Sequence, residues 1–186
     1  MEKNMEIERK FWTTKNLIHS VLELQKGILP SETLVISQTY LVMGKENEER
    51  VRSSHCIETG ITTYTFTKKI GFGVSREEIE REIPQSEYNA HLPIGMGTID
   101  KTRLVYLIDN YKIEVDYYLN GVVSFEIEFT SEKEAYKVFP DYLNAINIFE
   151  ITGDKKFSNF RYATEAPTLE SLQKEIELKI NTFNKL

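Results

Sequence analysis

The chain has 186 residues, of which 40% are hydrophobic and 28% are charged, and its 29 acidic and 23 basic side chains give a net charge of −6. This acidic balance disfavours a general nucleic-acid binder, which usually carries a basic excess, and on average it also disfavours a strongly anionic ligand. The single cysteine excludes an internal disulfide, and the lack of a secretory signal or of an apolar run of about 20 residues predicts a cytoplasmic protein that does not cross a membrane.

Most of the sequence alternates apolar and polar residues with the period of two that is typical of β-strands. The first strand is predicted from Met5 to Trp12, and residues 13–27 then change to the spacing of one helical face. Further strands are predicted at residues 33–43, 48–58, 61–70, 75–84, 102–109, 111–119 and 122–130. Because short turns join most of these strands, the sequence predicts an antiparallel meander or barrel.

The last part of the chain is predicted to be mainly helical. Ser131 and Glu134 form a capping box at the start of a helix over residues 131–149. A connecting segment with a short strand at residues 149–152 leads to a second helix over residues 168–186. We therefore expect one mainly β domain over residues 1–186, with its strands over about 3–130 and helices over about 131–149 and 168–186.

Charged side chains recur at every second position of several predicted strands, so that they share one face of the strand. These runs are Glu6, Glu8 and Lys10; Arg50 and Arg52; Arg76, Glu78, Glu80 and Glu82; Lys101 and Arg103; Glu114 and Asp116; and Glu126 and Glu128. On an ordinary sheet this would be the solvent-exposed face. One strand, however, offers only carboxylates and another only guanidinium groups. This clustering favours a closed barrel with the charged face inside and with helices covering the apolar face outside.

The residue types of this charged face indicate a chemistry. A row of arginine and lysine side chains suits a polyanion, because guanidinium groups make bidentate contacts to phosphate oxygens. Neighbouring carboxylates without histidine or cysteine suit a hard cation such as Mg²⁺ or Mn²⁺. A divalent cation that bridges phosphate oxygens, with basic side chains around them, is the general arrangement for phosphoryl transfer.

Several of these runs belong to short motifs that follow one another in a fixed order. The motif segments are ExExK at residues 6–10, RxR at 50–52, KxR at 101–103, and residues 36–41, 66–69, 76–83, 125–129 and 153–159. In order and parity they resemble the motifs of the CYTH superfamily, the triphosphate tunnel metalloenzymes, over residues 5–165. Lys156 stands where the family usually has arginine, and Glu114 is expected to point outward because Asp116 is the better match.

The resemblance implies a closed, eight-stranded antiparallel tunnel with a charged interior that binds a triphosphate and acts with Mg²⁺ or Mn²⁺. It implies metal ligands at Glu6, Glu8, Glu126 and Glu128, with further candidates at Glu78, Glu80 and Asp116. It implies that the triphosphate is bound by Lys10, Arg50, Arg52, Lys69, Arg76, Lys101, Arg103 and Lys156. Tyr40 would contact the substrate or shape the tunnel mouth. The catalytic residues would be Lys10, Tyr40, Glu126 and Glu128.

The first functional hypothesis is a metal-dependent hydrolase of triphosphates, with inorganic tripolyphosphate as substrate and one carboxylate orienting or deprotonating the attacking water. Class IV adenylyl cyclases and thiamine or nucleoside triphosphatases use related tunnels and are the alternatives. A noncatalytic binder of polyphosphate or of a nucleotide is the alternative from another class. The expected partner is a small-molecule triphosphate, without nucleic acid or a membrane, and a homodimer is compatible with the family.

Overall fold

A computed structural model describes residues 3–13, 27–137 and 148–183 of the chain. Its strands are β1 (Lys3–Thr13), β2 (Glu32–Met43), β3 (Asn47–Cys56), β4 (Thr62–Ile70), β5 (Ser75–Glu82), β6 (Gly97–Ile108), β7 (Tyr111–Tyr118), β8 (Val123–Glu128) and β9 (Phe149–Glu150). Its α-helices are α1 (Gln85–His91), α2 (Glu132–Lys137), α3 (Asn159–Glu165) and α4 (Leu169–Phe183). The predicted helix over residues 13–27 falls almost entirely outside the described residues.

The strands form one closed sheet in which neighbouring strands run antiparallel. The order is β5-β4-β3-β2-β6-β7-β8-β1, and the pairing of β1 with β5 closes these eight strands into a barrel. β9 pairs with the far end of β1, opposite Phe11 and Trp12. The structure therefore confirms the predicted eight-stranded antiparallel barrel with flanking helices.

The apolar face of the strands lies on the outside of the barrel. Val115 of β7 and Phe125 and Ile127 of β8 are buried in one core cluster, to which Ala135 of α2 also belongs. Along these strands the apolar residues alternate with charged residues that point to the opposite face. The inverted arrangement predicted from the sequence, with the charged side chains inside, is present.

Two further clusters fix helices on the barrel. Tyr88 of α1 packs against Val51 on the outer face of β3. At one end of the barrel, Tyr162 of α3 and Leu172 of α4 share a cluster with Tyr118 of β7. Among the described residues no helix is long and apolar enough to cross a membrane.

The start of β6 differs from the prediction. The strand begins at Gly97, whereas the prediction began it at residue 102. The prediction started late because residues 95–98, with their two glycines, have the composition of a loop. A Cβ atom on Gly97 would lie 2.5 Å from the carbonyl oxygen of Ala163 in α3. Glycine at this position therefore allows α3 to contact the backbone of β6.

The helices also differ in part from the prediction. α1 and α3 have seven residues each and were not predicted, because such short helices carry too little of the helical repeat to be recognised. Phe149 lies in β9, which agrees with the predicted short strand and not with the helix over residues 131–149. Of that predicted helix, the structure describes the first part, which forms α2. There the Glu134 amide donates to Ser131 Oγ at 3.2 Å, as the capping box requires. The extent of the domain over residues 1–186 stays a prediction.

Candidate functional site

The barrel encloses a cavity of about 600 Å³. Most of the residues predicted to form the site line it, and all of these except Lys156 do so because they occupy the inward parity of their strands. These residues are Glu6, Glu8, Lys10, Tyr40, Arg50, Arg52, Lys69, Arg76, Glu78, Glu80, Arg103, Glu126, Glu128 and Lys156. The structure thus brings both charge types together from strands that are distant in sequence.

Lys101 and Asp116 are the two predicted site residues that do not line this cavity. Lys101 Nζ lies 2.5 Å from Asp116 Oδ2, and both side chains are buried. Burial and the neighbouring Arg103 lower the pKa of Lys101 well below its ordinary value. Burial opposes the charged form of Asp116, but the charges of Arg103 and Lys101 hold its pKa at about 2. The two residues form a buried ionic layer beneath the cavity, and their predicted roles in triphosphate and metal binding stay predictions.

Glu114 was expected to point outward, and the structure shows that this was wrong. Its side chain is buried, lines the cavity and contacts Arg103 Nη1. Residues two apart on a strand share a face, so that Glu114 must point inward if Asp116 does. Lys112 has the same parity, lines the cavity and lies 2.6 Å from Glu114 Oε1. Strict parity along β7 would have identified both residues.

The N-terminal carboxylates are held by cations from β4 and β5. Lys69 Nζ lies 2.5 Å from Glu6 Oε1 and 3.1 Å from Glu78 Oε2. Arg76 Nη2 bridges Glu6 Oε2 at 3.1 Å and Glu8 Oε1 at 2.7 Å. The predicted metal ligands and the predicted phosphate ligands therefore pair with one another in the free protein.

Lys10 and Glu126 form a second pair near the centre of the cavity. Lys10 Nζ lies 2.8 Å from Glu126 Oε1, and Arg103 Nη2 lies 3.1 Å from Glu126 Oε2. Burial opposes the charge on Lys10, but Glu126 raises the pKa of Lys10 well above its ordinary value. Burial likewise opposes the charge on Glu126, whereas Lys10 and Arg103 hold its pKa well below the ordinary range. Both groups are therefore charged at neutral pH.

The wall formed by β3 carries positive charge that few carboxylates balance. Arg50 Nη1 lies 3.5 Å from Glu48 Oε1, and Arg50 Nε is buried without a hydrogen-bond partner among the described residues. Arg52 forms no ion pair within the described part of the chain. Burial and the positive charges of Arg50 and Arg103 lower the pKa of Arg52 to about 10. This wall therefore presents positive charge to the cavity.

Tyr40 and Gln38 support the arginine wall from β2. Arg52 Nε donates to Gln38 Oε1 at 3.2 Å, and Gln38 Nε2 donates to the Tyr40 hydroxyl at 2.7 Å. The Tyr40 ring is buried and packs edge-to-face on Phe160 at a centroid distance of 5.4 Å. Tyr40 thus helps to shape the cavity, and its predicted contact with the substrate stays a prediction.

Residues 151–161 cross one mouth of the cavity. The Ile151 amide donates to the Lys10 carbonyl at 2.9 Å, which ties this segment to β1. Lys155 Nζ lies 4.6 Å from the ring centroid of Phe72 in the turn between β4 and β5. The side chain of Lys156 is 62% exposed, so that it lies at the rim, away from the inner ion pairs.

The donor chemistry of the cavity fits a hard divalent cation. Glu6, Glu8, Glu126 and Glu128 all line it and offer only oxygen donors, the type that Mg²⁺ and Mn²⁺ prefer. Burial and the neighbouring Glu126 raise the pKa of Glu8, a destabilisation that a bound cation would relieve. Within residues 3–13, 27–137 and 148–183, no group of three acidic, histidine or cysteine side chains is close enough together to hold an ion as it stands. Binding a metal would therefore require the carboxylates to leave their lysine and arginine partners.

A second cavity of about 350 Å³ adjoins these carboxylates. It is lined by Asn4, Met5, Glu6, Glu78, Glu80 and Glu128. Glu6, Glu78, Glu80 and Glu128 also line the first cavity, so the carboxylates are accessible from two sides.

Several solved structures share this fold. The PH1012 protein of Pyrococcus horikoshii OT3 is 21% identical, with 75% of this chain and 88% of that chain covered at a TM-score of 0.61. HpAC1 of Hippeastrum, described as revealing a dominant triphosphatase activity, is 16% identical, with 88% and 97% covered at a TM-score of 0.63. The bh2851 protein of Bacillus halodurans, named as a candidate adenylate cyclase, is 22% identical, with 78% and 91% covered at a TM-score of 0.55.

At these identities the structural likeness shows the fold. No curated protein matches the chain. The sequence profile of the CYTH domain, however, matches residues 4–159, which span the barrel strands, except for Lys3, and most of the segment across the mouth. The chain belongs to the CYTH domain family.

Proposed function

We propose that the chain is a divalent-metal-dependent hydrolase of triphosphates, with inorganic tripolyphosphate as its substrate. Members of its family are triphosphatases and cyclases that act on triphosphates with a divalent metal. The observation that carries the proposal is the division of one cavity between an arginine wall with few carboxylates and a wall of carboxylates. A triphosphate supplies the negative charge that the arginine wall lacks.

The arginine wall would bind the phosphate groups. Arg50 and Arg52 already face the cavity in the free protein, and Gln38 holds Arg52 in place. Donors that are positioned before the substrate arrives stabilise the charge that develops in the transition state without further rearrangement. Lys156, at the rim, would meet the triphosphate as it enters.

The opposite wall would hold the metal. Glu6, Glu8, Glu126 and Glu128 are the proposed ligands, and Glu78 and Glu80 lie beside them. When bound, the divalent ion would neutralise phosphate charge and polarise the terminal phosphoryl group.

The basic side chains that pair with the carboxylates in the free protein would change partners when the metal and the substrate bind. Lys69 and Arg76 pair with Glu6 and Glu8 in the free protein, and Lys10 pairs with Glu126. If these carboxylates held a cation, the lysine and arginine side chains would become available to phosphate oxygens. One carboxylate of this set would orient the attacking water.

Two arguments favour hydrolysis over binding without turnover. A binder of polyphosphate needs the cations, but it has little use for buried carboxylates whose desolvation costs stability. The relative HpAC1, which shares the fold, is described as having a dominant triphosphatase activity. The same description favours hydrolysis over cyclisation for this chain.

The test is a comparison of products across substrates. Purified protein would be incubated with tripolyphosphate, ATP and thiamine triphosphate, each with Mg²⁺ and with Mn²⁺, and phosphate, pyrophosphate and cyclic nucleotide would be measured. The proposal expects the highest kcat/KM with tripolyphosphate and no cyclic nucleotide from ATP. Cyclic nucleotide as the main product would establish a cyclase, and tight binding without any turnover would establish a binder.

A further inference from the structure

Asn159 brings a neutral amide into the cavity from α3, beside Lys10. Its Oδ1 atom accepts a hydrogen bond of 2.6 Å from the Tyr118 hydroxyl and a longer one of 3.4 Å from Lys10 Nζ. The side chain is half-buried and lines the cavity. Asn159 is thus the neighbour of a predicted phosphate ligand, although it carries no charge itself.

The two donors fix the orientation of the Asn159 amide. An ammonium group has no acceptor, so the atom that faces Lys10 must be the carbonyl oxygen and not the amino group. The amino group, Nδ2, therefore points away from Lys10. Within the described residues, both hydrogen bonds of the Asn159 side chain end at Oδ1, which leaves the two N–H donors of Nδ2 available in the cavity.

We propose that Asn159 is a substrate-binding residue whose Nδ2 donates to an oxygen of the triphosphate beside Lys10, while its Oδ1 holds Lys10 in position. This assignment rests on the proposed triphosphate function and adds a ligand to it. A neutral donor suits this place, because it contributes a hydrogen bond without adding positive charge beside Lys10.

The segment that carries Asn159 is anchored on both sides of the residue. Upstream, the Lys10 amide donates to Thr152 Oγ1 at 2.9 Å, so that the segment is tied to the strand that carries Lys10. Downstream, Phe160 packs on the ring of Tyr40 at 5.4 Å. Because both anchors belong to cavity-lining strands, the amide is held in place before a substrate arrives.

Asn159→Asp tests the assignment directly. The carboxylate keeps an acceptor for Tyr118 and Lys10, but it replaces the two N–H donors with an oxygen that repels phosphate. With tripolyphosphate and Mg²⁺ we expect KM to rise by about tenfold or more, and kcat to change less. Asn89→Asp, on the exposed side of α1, makes the same change of charge away from the cavity and should leave KM unaltered.

The outcomes separate this assignment from the proposed function. A KM for Asn159→Asp equal to that of the wild type would overturn the role of Asn159 while hydrolysis stands. If the wild-type protein releases no phosphate, the proposed function fails, and calorimetric titration with tripolyphosphate still decides whether Asn159→Asp weakens binding. If Asn159→Asp melts far below the wild type, Asn159→Ala provides the same comparison, and an unchanged KM there would also overturn the assignment.

Discussion

Arg103 and Asp116 form a bidentate ion pair beneath the cavity, with Nε–Oδ1 and Nη2–Oδ2 distances of 2.7 Å each. Lys101, two residues before Arg103 on the same face of β6, contacts the same carboxylate. Two cations share one carboxylate in this layer, and Arg103 directs its remaining donors to Glu114 and Glu126 at the cavity floor, which offset the excess positive charge. The layer therefore holds Arg103 in position at the floor of the cavity.

Removing the central carboxylate should destabilise the fold. We expect Asp116→Asn to lower the free energy of unfolding by about 3–5 kcal/mol, because Lys101 and Arg103 would remain buried without their partner. Urea unfolding monitored by circular dichroism measures the change. Glu82→Gln, at the exposed end of β5, loses the same charge and serves as the control. If Asp116→Asn lowered the free energy of unfolding no more than the control does, the proposed structural role of Asp116 would be contradicted.

The same carboxylate should make stability depend on pH in the acid range. Its pKa is about 2 in the folded protein, below the ordinary value of about 3.9 expected in the unfolded chain. A depressed pKa contributes stability above the unfolded value and loses it as the pH falls through the folded value. We expect about 2–3 kcal/mol to be lost between about pH 4 and pH 2. In unfolding measurements across this range, Asp116→Asn should show a shallower loss than the wild type, and parallel curves would refute the assignment.

Arg52 should contribute to the affinity for tripolyphosphate without stabilising the free protein. Arg52 is buried among positive charges, so Arg52→Gln should leave the melting temperature of the free protein unchanged or raise it. The same substitution should raise KM for tripolyphosphate by about tenfold or more, since a charge-assisted contact is lost. Arg81→Gln, which breaks the ion pair with Glu87 outside the barrel, is the matched control. A marked loss of stability in Arg52→Gln with an unchanged KM would show that Arg52 is structural.

Glu8 should lower the stability of the metal-free protein and contribute to the affinity for the metal. Burial and Glu126 raise its pKa, and a raised carboxyl pKa means that stability falls as the pH rises through that value. Without a divalent ion at neutral pH, Glu8→Gln should therefore melt at or above the temperature of the wild type. The substitution should raise the Mg²⁺ concentration needed for half-maximal phosphate release by about tenfold. An unchanged metal requirement would remove Glu8 from the proposed ligands.

Parity along the strands explains how much of the site could be predicted from the sequence. The alternation in residues 6–10 and 50–52 placed those charges on one face, and the clustering of like charges identified that face as the interior of a barrel. Parity does not give the depth of a side chain along the barrel axis. It could not show that Lys101 and Asp116 lie beneath the cavity while Arg103, two residues from Lys101, lines it.

Contacts between distant segments could not be predicted in this way. Asn159 reaches Lys10 only because α3 folds across the mouth, and α3 is too short to leave a helical repeat in the sequence. The motif match at Asp116 predicted the wrong direction for the Glu114 side chain, whereas strict alternation along β7 gives the right one. The average charge of the chain was also a poor guide, since the balance of −6 conceals a cavity with its own arginine wall.

The measurement that tests the central claim most directly is phosphate release from tripolyphosphate as a function of metal. The protein would be treated with EDTA, assayed, and then assayed again with added Mg²⁺ or Mn²⁺, with Glu126→Gln in parallel. The account predicts no release after EDTA, recovery with the divalent ion, and at least about a hundredfold lower kcat/KM in Glu126→Gln. Release that persists in EDTA, or a Glu126→Gln variant as active as the wild type, would contradict it.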